Sequence, residues 1–231
     1  MNTNNKRILN KTAIYLLLIA VALITIGPFL WLLSTALKSG GENIFQYPPA
    51  LIPESPTLNN FVKVTETVAI GRYFLNSVFV ALGTISINIL VSALAAYPLA
   101  RMEFRFRNII FYGILGTMMV PFQILMISIY VFSVRTGMTD SYTGLILPVA
   151  VNAFGIFLLR QAFLTIPVDI EEAAIIDGCN SFQIWWRILL PLIKPSLATL
   201  AIFTFMTSWS SFMWPLVAIN NPDYYTLPVG I

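Results

Sequence analysis

The 231-residue sequence predicts an all-α fold, a polytopic helical bundle set in a membrane, and three observations carry that expectation. Hydrophobic residues make up 58% of the chain and charged residues only 10%, where ordinary soluble domains carry about a quarter. Uncharged apolar runs long enough to cross a bilayer recur at 12–37, 73–100, 108–134, 141–159 and 195–222, a helical crossing taking about 20 residues. These runs also lack the alternation and the length of about ten residues expected of barrel strands, and helices satisfy their own backbone groups where no water can.

Lys6, Arg7 and Lys11 precede the first run, and the small residues Ser34, Thr35 and Ala36 close it, as they do in a secretory signal. A signal's apolar region is only about 7–15 residues long, so residues 1–37 read as a cytoplasmic N-terminus and a retained first transmembrane helix. Residues 38–72 form the longest extramembrane segment. There Pro48, Pro49, Pro53 and Pro56 predict an extended or turning path rather than a helix. Residues 73–231 carry the remaining spans as one transmembrane domain. Within it Ser92, Ala96 and Ala100 recur at every fourth position and allow close helix contact. Pro28, Pro98, Pro121, Pro148 and Pro215 are expected to kink or end spans. The loops 101–107, RMEFRFR, and 135–140, RTGMTD, are short and imply antiparallel neighbours.

With the N-terminus in the cytoplasm, Lys6, Arg7, Lys11, Arg101, Arg105, Arg107, Arg160, Arg187 and Lys194 lie inside, while Lys38, Lys63, Arg72 and Arg135 lie outside. That excess favours this orientation and a multi-pass protein of the plasma or inner membrane. The net charge of +3 is divided among loops rather than gathered on one face, so no nucleic-acid partner is expected. Five spans would leave the carboxyl end outside at YYTLPVGI, where an apolar pattern restarts after Asp223. A sixth helix is expected there, so the transmembrane domain reads as incomplete at its C-terminus.

A single cysteine, Cys179, cannot form an intramolecular disulfide, and without histidine neither a His-based metal site nor a Ser-His-Asp triad can be built. No G-x-x-x-x-G-K-[ST] phosphate loop is present, so this chain is not expected to hold ATP. No catalytic residue, metal or cofactor is assigned.

Between the last two runs lies a charged inner loop. Pro167, Asp169 as a cap, and Glu171 with Glu172 near the positive end of the dipole predict a helix over about 168–177, ended by Gly178. A second helix is expected after Asn180 or Ser181. Its Phe182, Trp185, Trp186 and Leu189 fall at i, i+3, i+4 and i+7 and would share one apolar face, opposite Gln183 and Arg187. Pro191 is expected to end that helix and Pro195 to open the next span. The exposed part of the loop is expected to be small and acidic.

Glu172, Ala173, Ala174, then three residues, Gly178, then nine residues, Ile188, one residue, Leu190 and Pro191 resemble the EAA loop of permease subunits in binding-protein-dependent ABC importers. FGIFLLRQAFLTIP (154–167), LIKPSLATLAIFTF (192–205), LNSVFVA (75–81) and AAYPLAR (95–101) are similar to the carbohydrate-uptake branch, related to the maltose-type second permease. The chain departs from that branch at Trp209, Ser210, Ser211, Phe212, Met213, Trp214 and Pro215, where relatives usually place an asparagine after the first tryptophan. The resemblance implies six spans and a cytoplasmic coupling helix that docks in a cleft of a separate ATPase. It assigns that coupling to Glu171, Glu172, Ala173, Ala174, Asp177, Gly178, Ile188 and Pro191. It also implies a second permease forming a heterodimer, two ATPase subunits that bind the ATP, and an extracytoplasmic solute-binding protein, all around a chain embedded in lipid.

The residue types suit that role. Ala173 and Ala174 admit a close partner surface, Glu172 can accept a charge-assisted hydrogen bond, and Gly178 permits a sharp turn. For the solute path the candidates are Asn88, Gln123, Asn152 and Trp209, with Asn76, Tyr97 and Trp214 also within spans. Polar groups there avoid lipid and line either a path or an interhelical contact. The solute is expected to be a sugar, with a polyol, glycerol phosphate or a peptide as alternatives. No span interior carries lysine or arginine, which argues against a strongly anionic path. An intramembrane enzyme or a simple anchor is the competing class, and neither requires the ordered EAA spacing.

Overall fold

A computed structural model describes residues 3–44, 46 and 50–231. Among these the regular structure is helical, with no strand. The chain divides into two compact units, Met1–Val68 and Ala69–Ile231.

The first unit is built on α1 (Thr3–Ala36), which Pro28 does not interrupt. Leu17, Leu23, Ile24 and Phe29 stay exposed along it, as befits a helix whose surface meets lipid. Beyond α1 the carboxylate of Glu42 accepts hydrogen bonds from the backbone N–H groups of Ser39, Glu54 and Ser55 and from the Ser39 hydroxyl. Those donors, Ser55 foremost, hold its carboxyl below the usual range. Pro53 and Pro56 lie in irregular chain as expected, while Pro48 and Pro49 lie outside the described residues. Contrary to the expectation of no helix in 38–72, α2 (Asn59–Thr67) follows. All four prolines precede it, and Asn60 Nδ2 ties it back by donating to the carbonyls of Ala36 and Lys38 at 3.0 and 2.8 Å.

The second unit runs through α3 (Ile70–Arg101), α4 (Arg107–Thr117), α5 (Phe122–Arg135), α6 (Tyr142–Ile146) with a 3₁₀ turn at Leu147–Val149, and α7 (Ala153–Leu164). Then come α8 (Asp169–Ile176), α9 (Ser181–Gln183), a π-helical stretch Ile184–Leu189, α10 (Leu190–Leu192), α11 (Lys194–Trp209), α12 (Met213–Ala218) and α13 (Leu227–Gly230). Among the described residues two helices, Asn10–Ala36 and Ile70–Arg101, are long and apolar enough to cross a membrane alone, and up to five crossings result if each bent pair counts as one.

The three later spans differ from straight helices over 108–134, 141–159 and 195–222. The first bends by 96° between α4 and α5, at Pro121, which lacks an N–H and adopts extended backbone with ψ 135°. The second bends by 53° before α7, where Asn152 leaves the helical conformation and accepts the N–H of Gly155 at 2.8 Å as a cap. In the third, α11 stops at Trp209, and its bent partner is the helix before it, Ser181–Leu192, at 76°.

The core of this unit forms where α3 meets α7 and α11. Ser92, Ala93, Ala96 and Ala100 are buried along α3. Gly155 on α7 approaches so closely that a Cβ there would lie 2.6 Å from Ser92 Oγ and 2.9 Å from Asn88 Oδ1. At the Arg101 end Ala96, Tyr97, Leu159, Phe163, Trp185, Leu189 and Leu200 pack together. At the Ile70 end Val80, Leu145, Trp214 and Ala218 form a second cluster.

In the YYTLPVGI segment, where a sixth helix is expected to begin, α13 starts at Leu227 after a 3₁₀ turn at Pro222–Tyr224. Both are fastened to the start of α3. Asn76 Nδ2 donates to the carbonyls of Asp223 and Tyr225 at 2.8 and 2.9 Å, the Ser77 hydroxyl accepts the N–H of Leu227 at 2.7 Å, and Arg72 pairs with Asp223.

Candidate functional site

The inner loop is a built element. Arg101, the last residue of α3, places Nε 2.7 Å from Oε1 of Glu171 with both side chains almost buried. The contact is one of charges rather than an aligned hydrogen bond. Nη2 of the same arginine donates to the carbonyl of Ile166 at 2.5 Å, so one side chain holds both the approach to α8 and its first turn. Burial pushes the Glu171 carboxyl above its ordinary range, and the neighbouring guanidinium works against that shift. Arg160 reinforces the same corner by donating to the carbonyl of Leu99 at 3.0 Å and lying 3.9 Å over the Phe111 ring.

Asp169 does not cap α8. It stands inside the first turn, and the carbonyl of Val168 accepts the N–H groups of Glu171 and Glu172. At the other end Gly178 takes φ +82°, the N–H of Cys179 reaches the carbonyl of Ala174 and the N–H of Gly178 that of Ile175. These two bonds make a Schellman stop, in which glycine avoids the Cβ clash of the left-handed region. Asn180 then opens the next helix through a reciprocal capping box with Gln183, both bonds at 2.9 Å.

These fixings sort the coupling candidates. Glu171 and Ala174 face the bundle, while Glu172, Ala173, Asp177 and Gly178 face outward. Ile188 is half-buried against the core and Pro191 is exposed within α10, one residue short of its end. The exposed face is not purely acidic: Ile175 is 61% and Ile176 86% exposed between Glu172 and Asp177.

The expected four-residue aromatic face is also split. In the π-helical stretch the repeat lengthens to i+5, and the buried pairs are Ile184 with Leu189 and Trp185 with Leu190, leaving Phe182 and Trp186 exposed.

A second feature lies between α3, α11 and α12. A cavity of about 350 Å³ is lined by Thr84, Asn152, Thr204, Thr207, Ser208, Ser211, Trp214 and Thr226 among others, none of them charged. The Thr226 hydroxyl is buried without a hydrogen-bond partner among the described residues. Of the path candidates, Asn152 lines this cavity. Asn88 lies behind it, fully buried, with its amide donating to Thr204 Oγ1 at 3.0 Å and accepting from Ser92 Oγ at 2.8 Å. Gln123 is exposed outside the cavity. Trp209 stacks on Phe205 and sets its edge to Phe74. Tyr97 packs edge-on to Phe163, and Trp214 donates its indole N–H to the carbonyl of Gly144 at 3.1 Å.

The hydroxyl row escaped the sequence reading. Thr204, Thr207, Ser208 and Ser211 do recur at i, i+3, i+4 and i+7, a helical stripe of hydroxyls in an apolar run.

Residues 88–231 match the family described as binding-protein-dependent transport system inner membrane component. The chain is 35% identical over 214 residues to the arabinooligosaccharides transport system permease protein AraQ of Halalkalibacterium halodurans, covering 91% of this chain and 76% of the relative. It is also 35% identical over 196 residues to the sn-glycerol-3-phosphate transport system permease protein UgpE of Pectobacterium atrosepticum, covering 82% and 70%. A chain in the crystal structure of a bacterial ABC transporter that imports the acidic polysaccharide alginate superposes with a TM-score of 0.85 at 26% identity, covering 99% of this chain and 80% of that one.

Proposed function

The chain belongs to the family of binding-protein-dependent transport system inner membrane components, and we propose that it is the permease subunit of an ATP-driven importer for a neutral saccharide. The cavity carries this reading. Its hydroxyls and the Asn152 amide can exchange hydrogen bonds with a polyhydroxylated solute, and no charged side chain lines it. A permease for glycerol phosphate or alginate must neutralise an anion, for which this cavity offers no cation. Radiolabelled uptake by the reconstituted transporter tests it: neutral oligosaccharides are expected to enter and sn-glycerol 3-phosphate is not. Preferential uptake of the phosphate ester would overturn the reading.

In this proposal the exposed face of α8 docks on a separate ATPase, with Ile176 as an apolar anchor between the carboxylates of Glu172 and Asp177. Two ATPase subunits supply hydrolysis, a second permease completes the path, and a solute-binding protein delivers cargo to the opposite face. The Arg101 end of the second unit carries Arg101, Arg105, Arg107, Arg160, Arg187 and Lys194, which supports placing that end in the cytoplasm, and Lys6, Arg7 and Lys11 before the first apolar run support the same side for the N-terminus. Glu172→Lys or Gly178→Pro is expected to abolish co-purification of the ATPase while membrane insertion persists. ATPase retention equal to that of the unmodified chain would remove the coupling assignment.

A further inference from the structure

A second opening of about 510 Å³ lies beside the joint between α10 and α11, away from the hydroxyl-lined cavity. Its walls are apolar: Ile85, Ile89 and Leu90 of α3 on one side, Leu197 of α11 and Trp185 on the other. Three polar groups break that character, of which the Ser86 hydroxyl is already spent on the carbonyl of Leu82 at 2.8 Å. Lys194, the first residue of α11, lines the groove, is exposed, and has no carboxylate partner among the described residues. Trp185 is 3% exposed, and its indole N–H has no acceptor among them.

Depth along α3 orders these features. At a rise of 1.5 Å per residue, Ile89 and Ile85 lie about 18 and 24 Å from the Arg101 end, while Lys194 opens its helix at that same end. The groove therefore runs from a basic rim towards the middle of a hydrocarbon layer about 30 Å thick. The geometry points to a binding site for an anionic phospholipid of the cytoplasmic leaflet, one acyl chain lying along Ile85, Ile89 and Leu90 and the phosphodiester resting on Lys194. The inference rests on the orientation proposed above. The phosphodiester supplies what the walls lack, an anion for the exposed ammonium. A free phosphate would leave the apolar walls wet, and an apolar helix from another subunit would leave the Lys194 ammonium unpaired. Basic pockets between helices on the cytoplasmic side are suited to such headgroups.

The test uses the full chain purified with its partner subunits from vesicles of equal phosphatidylcholine and phosphatidylglycerol, with retained lipids counted by native mass spectrometry. The unmodified chain is expected to keep phosphatidylglycerol in preference to phosphatidylcholine. Lys194→Gln should lower that retention about fivefold, the effect of one basic residue at a membrane surface. Ser86→Trp, which fills the groove from an exposed position on α3, should abolish it. Equal retention in all three chains overturns the site, as does equal retention of both lipids by the unmodified chain. Efficient crosslinking of Ser86→Cys to the second permease also overturns it, because protein would then fill the groove. ATPase co-purification is measured on the same samples, so loss of the ATPase with lipid preference intact counts against the coupling assignment and not against the lipid site.

Discussion

Glu171 and Glu172 are neighbours in sequence with opposite surroundings, one buried against Arg101 and the other in solvent. Arg101→Ala leaves a buried carboxylate without its counter-charge, a loss of about 3–5 kcal/mol when nothing compensates. Amide exchange across α8 should accelerate accordingly, and pairing the change with Glu171→Leu should restore much of the protection. The pH dependence follows from the raised Glu171 value. The docked loop favours the protonated acid, so this contribution is full below the ordinary carboxylate range and is lost as pH rises through the shifted value. The protection factor of α8, exchange referred to the intrinsic rate at each pH, should therefore fall with rising pH, and Glu171→Gln should flatten that dependence. Gly155→Ala would force a methyl group into the Asn88 and Ser92 side chains and should lower stability by about 1–3 kcal/mol, read as thermal unfolding in detergent. The EAA spacing was legible in the sequence, but the division of labour between adjacent glutamates was not. Which face of α8 meets the bundle depends on where α3 ends in space. The hydroxyl stripe was legible in principle, yet amides and tryptophans stand out first because they are the larger polar groups in an apolar run.

At the level of elements, hydropathy located the apolar runs and said nothing of their direction. Pro98 and Pro121 show why. Pro98 lies inside α3, where Ala93, Ala96 and Ala100 are packed against neighbours and the helix continues through it. Pro121 follows Met118, Met119 and Val120, all exposed, and there the chain turns by 96°. The same residue breaks one helix and not the other because tertiary packing decides whether a missing hydrogen bond is tolerated. The π-helical stretch was invisible for a related reason, since a face read at 3.6 residues per turn puts Trp185 and Trp186 together. Their separation gives a direct check: Trp185→Ala should cost about 3–5 kcal/mol of stability, while Trp186→Ala should cost far less. Similar losses for both would mean that the stretch is an ordinary α-helix. Asn180→Ala removes one arm of the capping box and should cost about 1 kcal/mol, again read by thermal unfolding.

Across the whole second unit, the two ends are built with different chemistry. At the Ile70 end Asp140 accepts the N–H groups of Asn220 and Asn221 at 2.5 and 2.8 Å, which keeps its carboxyl below the usual range, Asn221 contributing most. That contribution is present above the ordinary carboxylate range and fades as pH falls through the lowered value. Tm should therefore drop on acidification, and Asp140→Asn should show a shallower drop. At the Arg101 end the helix Ser181–Leu192 and α11 meet at 76°, and α11 carries Thr204, Thr207 and Ser208 of the hydroxyl row. Measured at 1.5 Å per residue, the two arms are about 18 and 24 Å long. In the coupling proposed above such a joint would act as a bell crank: with Ile193 as a stiff pivot, a push of about 1 Å at Ser181 would swing the Trp209 tip sideways by about 1.3 Å, the ratio of those arms. The hydroxyls nearest that tip would then travel furthest, and a short stroke at one membrane face would become a lateral opening or closing deep within the other half of the bundle.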